Sequence, residues 1–176
     1  MAQKHFRNAV YPPSEDSFLI ESCITCRVGE RVLDMGTGSG ILAKKAASLG
    51  GKVTAVDINP EAVAAAKAIG VEAIQSDLFD NVSGMFDLII FNPPYIPENP
   101  SDVESMQWAS GATNGTIRRF LSAAKERLSP NGRILILVSS LTDFGKLPEL
   151  KAYRKKKVSE KKLFFERLEV WELKVI

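Results

Sequence analysis

The sequence is poor in cysteine, poorer in histidine, and has no long apolar run. Two cysteines in 176 residues exclude a disulfide framework, and a chain of this length buries enough surface to fold without one. Cys23 and Cys26 stand as C-x-x-C, but a zinc site needs three or four ligands and His5 is the only other soft donor. The pair therefore reads as small, core or half-buried thiols on a helix, and no metal is expected. A single histidine in the N-terminal arm leaves no candidate for histidine acid–base catalysis. The longest apolar runs, such as Ile134–Val138, are strand-sized and far short of the ~18 residues of a membrane span. Met1–Asn8 lacks the apolar stretch of a signal peptide, so the expectation is a cytoplasmic globular domain with no membrane partner. Net charge is also nearly absent: 23 Lys+Arg against 21 Asp+Glu leave +2, too little to announce a nucleic-acid partner.

What the sequence does have is alternation of strand and helix patterns. A short arm over 1–13 precedes a single domain over 14–176. Ser14 is placed to cap a helix Glu15–Arg27, with Glu15 and Asp16 in its first turn where carboxylates suit the dipole. Strands are expected at Arg31–Met35, Lys52–Asp57, Glu72–Ser76, Phe86–Phe91 and Arg133–Ser139, with a hairpin within Lys157–Ile176. Helices fall between them at Ile41–Leu49, at Glu61–Ile69 behind an Asn59-Pro60 start, and at Thr116–Leu128. Residues 96–113 read as a polar connection, and Leu147–Arg154 as a helix or its remnant. The near-continuously apolar strands argue a parallel sheet covered on both faces. The fold class is α/β: a Rossmann-like, doubly wound, seven-stranded sheet, mostly parallel, with an antiparallel strand from the C-terminal hairpin at or near one edge.

In such sheets ligands bind beyond the carboxyl ends of the strands. Four strand ends aim polar residues or glycines there: Gly36-Thr37-Gly38-Ser39-Gly40, Asp57, Asp77 and Asn92. The glycine turn lets backbone approach a ligand and exposes amides at a helix start. It departs from the dinucleotide G-x-G-x-x-G pattern, whose third glycine would fall at Ile41. Asp57 is placed to accept from two ribose hydroxyls, and Asp77 from an exocyclic amine. Asn92-Pro93-Pro94-Tyr95 follows the apolar strand directly. Prolines stiffen that loop and remove competing N–H donors, so the Asn92 oxygen and the Pro93 carbonyl can hold both hydrogens of a planar amino group while Tyr95 stacks on it.

In these motifs the chain resembles the class I S-adenosylmethionine-dependent methyltransferases. Val10-Tyr-Pro-Pro-Ser-Glu-Asp-Ser-Phe-Leu and Trp108-Ala-Ser-Gly-Ala-Thr-Asn-Gly further resemble the HemK-like protein-glutamine methyltransferases, in their short archaeal and eukaryotic branch. That resemblance implies methyl transfer from S-adenosylmethionine, leaving S-adenosylhomocysteine. The acceptor it implies is the side-chain amide nitrogen (N5) of the glutamine in the Gly-Gly-Gln loop of a class 1 translation release factor. It implies a cofactor set of Ser17, Asp34, Gly36, Thr37, Gly38, Gly40, Asp57, Ile58, Asp77, Leu78 and Asn92. Substrate would fall to Asn92, Pro93, Pro94, Tyr95 and Trp108, with Asn92, Pro93 and Tyr95 catalytic. Ser17 stands where the family often has Thr, and Asp34 where some relatives have Glu. Relatives in this branch pair the edge strand, here Glu72–Ser76, with a small zinc-binding activator to form a heterodimer; a self-sufficient monomer is the alternative.

The nearest rival is the same chemistry on another amino nitrogen, such as adenine N6 in DNA or RNA. The balanced charge and the lack of a target-recognition segment stand against it. A nicotinamide-dependent oxidoreductase is disfavoured by Ile41 and by the absence of a proton donor, and a non-catalytic cofactor-binding subunit by the intact Asn92–Tyr95 loop. Arg154–Lys157 with Lys161 and Lys162 reads as a solvated basic face, and Leu163-Phe164-Phe165 as core packing or a docking patch.

Overall fold

A computed structural model describes residues 10, 12–93, 103–164 and 166–176; the side chains of 103–113 and 165 are outside that description. His5, Tyr11, Pro94, Tyr95 and Phe165 therefore lie outside the described residues, as does the side chain of Trp108.

Strands form at the expected places, though β5 and β6 begin ahead of the expected Arg133 and Lys157: β1 (Arg31–Met35), β2 (Lys52–Asp57), β3 (Glu72–Gln75), β4 (Phe86–Phe91), β5 (Leu128–Ser139), β6 (Tyr153–Lys162) and β7 (Arg167–Val175). They make one seven-stranded sheet in the order β3-β2-β1-β4-β5-β7-β6. β1 to β5 run parallel, and β7 enters antiparallel between β5 and β6. β3 is an edge strand, as expected. The central strands are apolar on both faces because each alternate residue meets a different layer. Val32, Leu88, Ile90, Leu135 and Leu137 face α1 (Glu15–Ser22) and α2 (Ile41–Ser48). Leu33, Ile89, Phe91, Ile134 and Ile136 face α4 (Val103–Ala124) through Ile117, Phe120 and Leu121. α3 (Pro60–Ala68) packs Val63 and Ala66 on Ala55 and Ala73. It begins where the Asn-Pro signal put it, with the Asn59 side chain accepting from the Glu61 amide at 2.9 Å.

Four expectations are corrected. α1 stops at Ser22, five residues before Arg27, with Cys23 as its C-cap; the Thr25 carbonyl, just beyond, accepts from Arg133 of β5 instead of continuing the helix. Ser14 precedes α1 without a side-chain cap bond. α4 takes in Val103–Thr113, which reads as connection in the sequence, and ends at Ala124 short of the expected Leu128, which opens β5 instead. The segment before β6 is two short 3-10 turns, Phe144–Lys146 and Pro148–Ala152, and Tyr153 and Arg154, expected in a helix or its remnant, already belong to β6. The two cysteines point apart: Cys23 Sγ donates to Leu19 O and Cys26 Sγ to Ala46 O. Among the described residues no group of three metal-ligating side chains assembles, and no helix is long and apolar enough to cross a membrane.

Candidate active site

Asp34 is the fourth residue of β1 and wholly buried. One carboxylate oxygen accepts from Thr37 Oγ1 at 2.7 Å and from the Ala43 amide at 3.1 Å. The other is buried with no partner among the described residues. Burial pushes the carboxyl up to about 6, against which the Thr37 and Ala43 hydrogen bonds work. The turn that follows has Gly36, Gly38 and Gly40 at φ 66°, 50° and 80°, a left-handed path that side chains resist. Gly40 also lies against α3: a Cβ there would come within 2.8 Å of Ile69 Cδ1.

Asp57, ending β2, is tied to the same turn. Its two oxygens accept from the Gly38 and Asn59 amides, each at 2.9 Å, while the Thr37 amide donates to Val56 O. The glycine-turn amides are thus partly committed within the protein, and Asp57 couples the two strand ends before any ligand is considered. Ile58, next along, is 66% exposed. At the end of β3, Ser76 accepts from the Asn81 amide. Asp77 shares its carboxylate with Arg119 of α4 at 2.9 Å and stays partly open to solvent. Leu78 has φ 49°, alone among the described non-glycine residues in the left-handed region. A shallow groove of about 730 Å³ opens beside Leu78 and Phe79 against Arg118 and Arg119, on the Asp77 side and not at Asn92.

At the end of β4, Asn92 Nδ2 donates to Asp16 Oδ2 at 2.8 Å, and its Oδ1 is buried with no partner among the described residues. Asp16 lies on the first turn of α1 at 5% exposure, next to buried Ser17, whose Oγ reaches Asp16 Oδ1 only at 3.5 Å. Pro93 is buried and brings no amide donor. The structure therefore gathers Asp34, the glycine turn, Asp57, Asp77, Leu78 and Asn92 at the carboxyl end of the sheet, with Ser17 arriving from α1. Asp16 is the member that sequence reasoning passed over. Its only sequence signal is an acid in a helix first turn, which the dipole alone accounts for.

The whole stretch 15–162 matches the family model of the methyltransferase small domain. The chain is 37% identical over 145 residues to a protein of Methanocaldococcus jannaschii named for protein N5-glutamine methyl transfer, covering 76% of this chain and 74% of that one. It is 37% identical over 146 residues to the release factor glutamine methyltransferase of Shewanella oneidensis, covering 71% of this chain and 51% of that one. Among solved structures it is similar to the E. cuniculi Mtq2–Trm112 complex, responsible for methylation of the eRF1 translation termination factor. There the TM-score is 0.74 at 20% identity, over 94% of this chain and 98% of that one.

Proposed function

Because the chain belongs to the methyltransferase small-domain family, we propose that it methylates the side-chain amide nitrogen of a glutamine in a class 1 translation release factor, using S-adenosylmethionine. One observation carries the reading: a buried asparagine oxygen at the end of β4 with no partner among the described residues, fixed from behind by its own NH₂ group. An amino nitrogen with two hydrogens to donate fits such an acceptor.

The residues beside it fit the cofactor. The Asp34 oxygen without a partner among the described residues suits a cationic amino group. Asp57 stands at the second strand end, where a ribose is held in sheets of this kind, and keeps acceptor capacity beyond its two backbone bonds. Asp77 and Leu78 are placed to frame an adenine. S-adenosylmethionine held by Asp34, the glycine turn and Asp57 would supply an electrophilic methyl group on a positive sulfur, and the amide nitrogen that takes it would give up one N–H proton to water. The chain's own work is positioning and electrostatics. An amide nitrogen is a weak nucleophile because its lone pair is delocalised into the carbonyl. Acceptance of its hydrogens by Asn92 Oδ1 and the Pro93 carbonyl raises its electron density and stabilises the positive charge that develops as the bond forms. The proton is acidic once the nitrogen is alkylated, so no histidine is needed.

The β3 edge, four residues long and paired on one side only, is the surface offered to a small partner subunit. Support comes from the two-protein assembly of the E. cuniculi neighbour; zinc in that partner is part of the same reading. The test is incubation with methyl-labelled S-adenosylmethionine and a release factor, with and without its loop glutamine replaced. Label should appear on the intact factor and vanish with the replacement. Label that persists, or that prefers RNA, would move the acceptor elsewhere.

A further inference from the structure

We propose that Asp16 is a positioning residue for the transfer: its carboxylate locks the Asn92 amide with the oxygen toward the acceptor nitrogen. This rests on the amide-methylation reading. The argument starts from an ambiguity of asparagine, whose oxygen and NH₂ are nearly the same size. Nothing in the shape of a pocket tells the two ends apart, yet only the oxygen can hold an N–H of the substrate. A partner that accepts and never donates removes the ambiguity. Asp16 Oδ2 lies 2.8 Å from Asn92 Nδ2. A flip would set two acceptors against each other at that distance with no proton between them. The site is dry enough for the penalty to count, since Asp16 is 5% exposed and Asn92 Oδ1 is buried.

The same contact also polarises the amide. A carboxylate on the N–H side draws positive charge onto nitrogen and pushes electron density onto Oδ1, which strengthens that oxygen as an acceptor. The negative charge is itself supported by its place in the first turn of α1. Ser17 adds little at 3.5 Å. Residue 16 thus acts on the acceptor nitrogen only through Asn92, across 76 positions of sequence.

Two measurements test it on the full chain. Asp16→Ala should lower kcat on the release factor roughly 10- to 100-fold, with KM and cofactor Kd within about threefold. Asp16→Asn, whose side chain can either accept from Asn92 or donate to it, should fall between Asp16→Ala and wild type. In an Asn92→Ala background, Asp16→Ala should cost less than about twofold more, because the two act as one unit. Independently of any substrate, the Asn92 side-chain NH₂ resonances, assigned by their loss in Asn92→Ala, should be widely split in wild type and collapse toward solvent values in Asp16→Ala, with Asp16→Asn between the two. Additive losses in the double variant, or a matching fall in cofactor affinity, would make Asp16 a fold residue and overturn the proposal. Unchanged amide resonances would overturn it as well, even in a chain that methylates. A wild-type chain with the split resonances but no transfer to the release factor would overturn the substrate reading and leave the Asp16 contact standing.

Discussion

The two halves of the proposed site are held in different ways. Around β1 and β2 the side-chain ties are short in sequence: Asp34 binds residues three and nine positions on, and Asp57 binds Asn59 beside it and a turn 19 residues back. At β4 the asparagine side chain is held, among the described residues, by one bond to a helix 76 residues away. The first half is, in the proposed site, a cradle tied within β1, β2 and the turns that follow them. The second is an acceptor aimed by tertiary packing, and it exists only when α1 docks. Local ties suit a ligand gripped at many points; a single long-range tie suits a group whose orientation matters more than its affinity.

Breaking the second half should cost most. Asn92→Ala is expected to lower turnover by about 100- to 1000-fold, the range for loss of one aimed group in a transition state. The cradle is untouched, so cofactor Kd should change by no more than a few fold. Single-turnover rates beside a cofactor titration read both, and near-normal turnover would remove Asn92 from the chemistry.

The next effect separates the halves by pH. Asp34 has an ordinary carboxyl value near 3.8 when unfolded and about 6 when folded. The folded chain therefore holds the proton more tightly, and stability falls as pH rises from about 4 to about 6, staying flat above. The span corresponds to roughly 3 kcal/mol at most, from about two units at ~1.4 kcal/mol each. Glu30, Asp87 and Glu169 are shifted the opposite way, by hydrogen bonds and opposite charge, so the wild-type curve mixes signs. The difference between wild type and Asp34→Asn in urea unfolding at pH 4 to 7 isolates the effect: the advantage of wild type should shrink across that window. Cofactor affinity should weaken below about pH 6, where protonation removes the charge that suits a cationic amino group. A difference curve without slope would place Asp34 in a wetter setting than the buried one.

The same division decides what could be read in the sequence. β1, β2, β4 and the start of α3 were legible because their signals are local: apolar runs of strand length, a glycine turn, Asn-Pro before a helix. The first eleven residues of α4 were not, since Ser105, Ser110, Gly111 and Thr113 are weak helix formers and no series of large buried residues like Ile117, Phe120 and Leu121 marks the segment in sequence. The end of α1 was missed for a tertiary reason, because Ile24 is buried as a helical residue would be while the Thr25 carbonyl is taken by Arg133, 108 positions on. In the site, Asp34, the glycine turn, Asp57 and Asn92 were each visible at a strand end. Asp16 was not, because an acid in a first helical turn explains itself locally and its partner is far away. Asp77 was visible, but its link to Arg119 was not.

Within the cradle, Asp57→Ala should raise cofactor Kd about 10- to 100-fold through loss of charge-assisted acceptance. At saturating cofactor, kcat should stay near wild type, the reverse of Asn92→Ala. Removing Asp57 also frees the Gly38 and Asn59 amides, so Asp57→Asn, which keeps one acceptor, should lose less. Equal losses in kcat and affinity would mean that the halves are mechanically one body.

The smallest effect belongs to Arg119. Its ion pair with Asp77 is more than half exposed on the arginine side, and such pairs contribute little in water because solvent and salt screen them. Arg119→Ala should leave the melting temperature unchanged within error. Its use is diagnostic. Arg119 reaches from α4 to the one cradle carboxylate not tied to backbone by a hydrogen bond seen among the described residues, so it is the only described side chain linking α4 to these strand ends by an ion pair. If Asp77 accepts an exocyclic amine of the cofactor, loss of the competing arginine should tighten binding by no more than about threefold, and the gain should disappear at high salt. Weaker binding in Arg119→Ala would instead show that the arginine holds Asp77 in place, and would extend to the cradle the long-range dependence that otherwise marks Asn92.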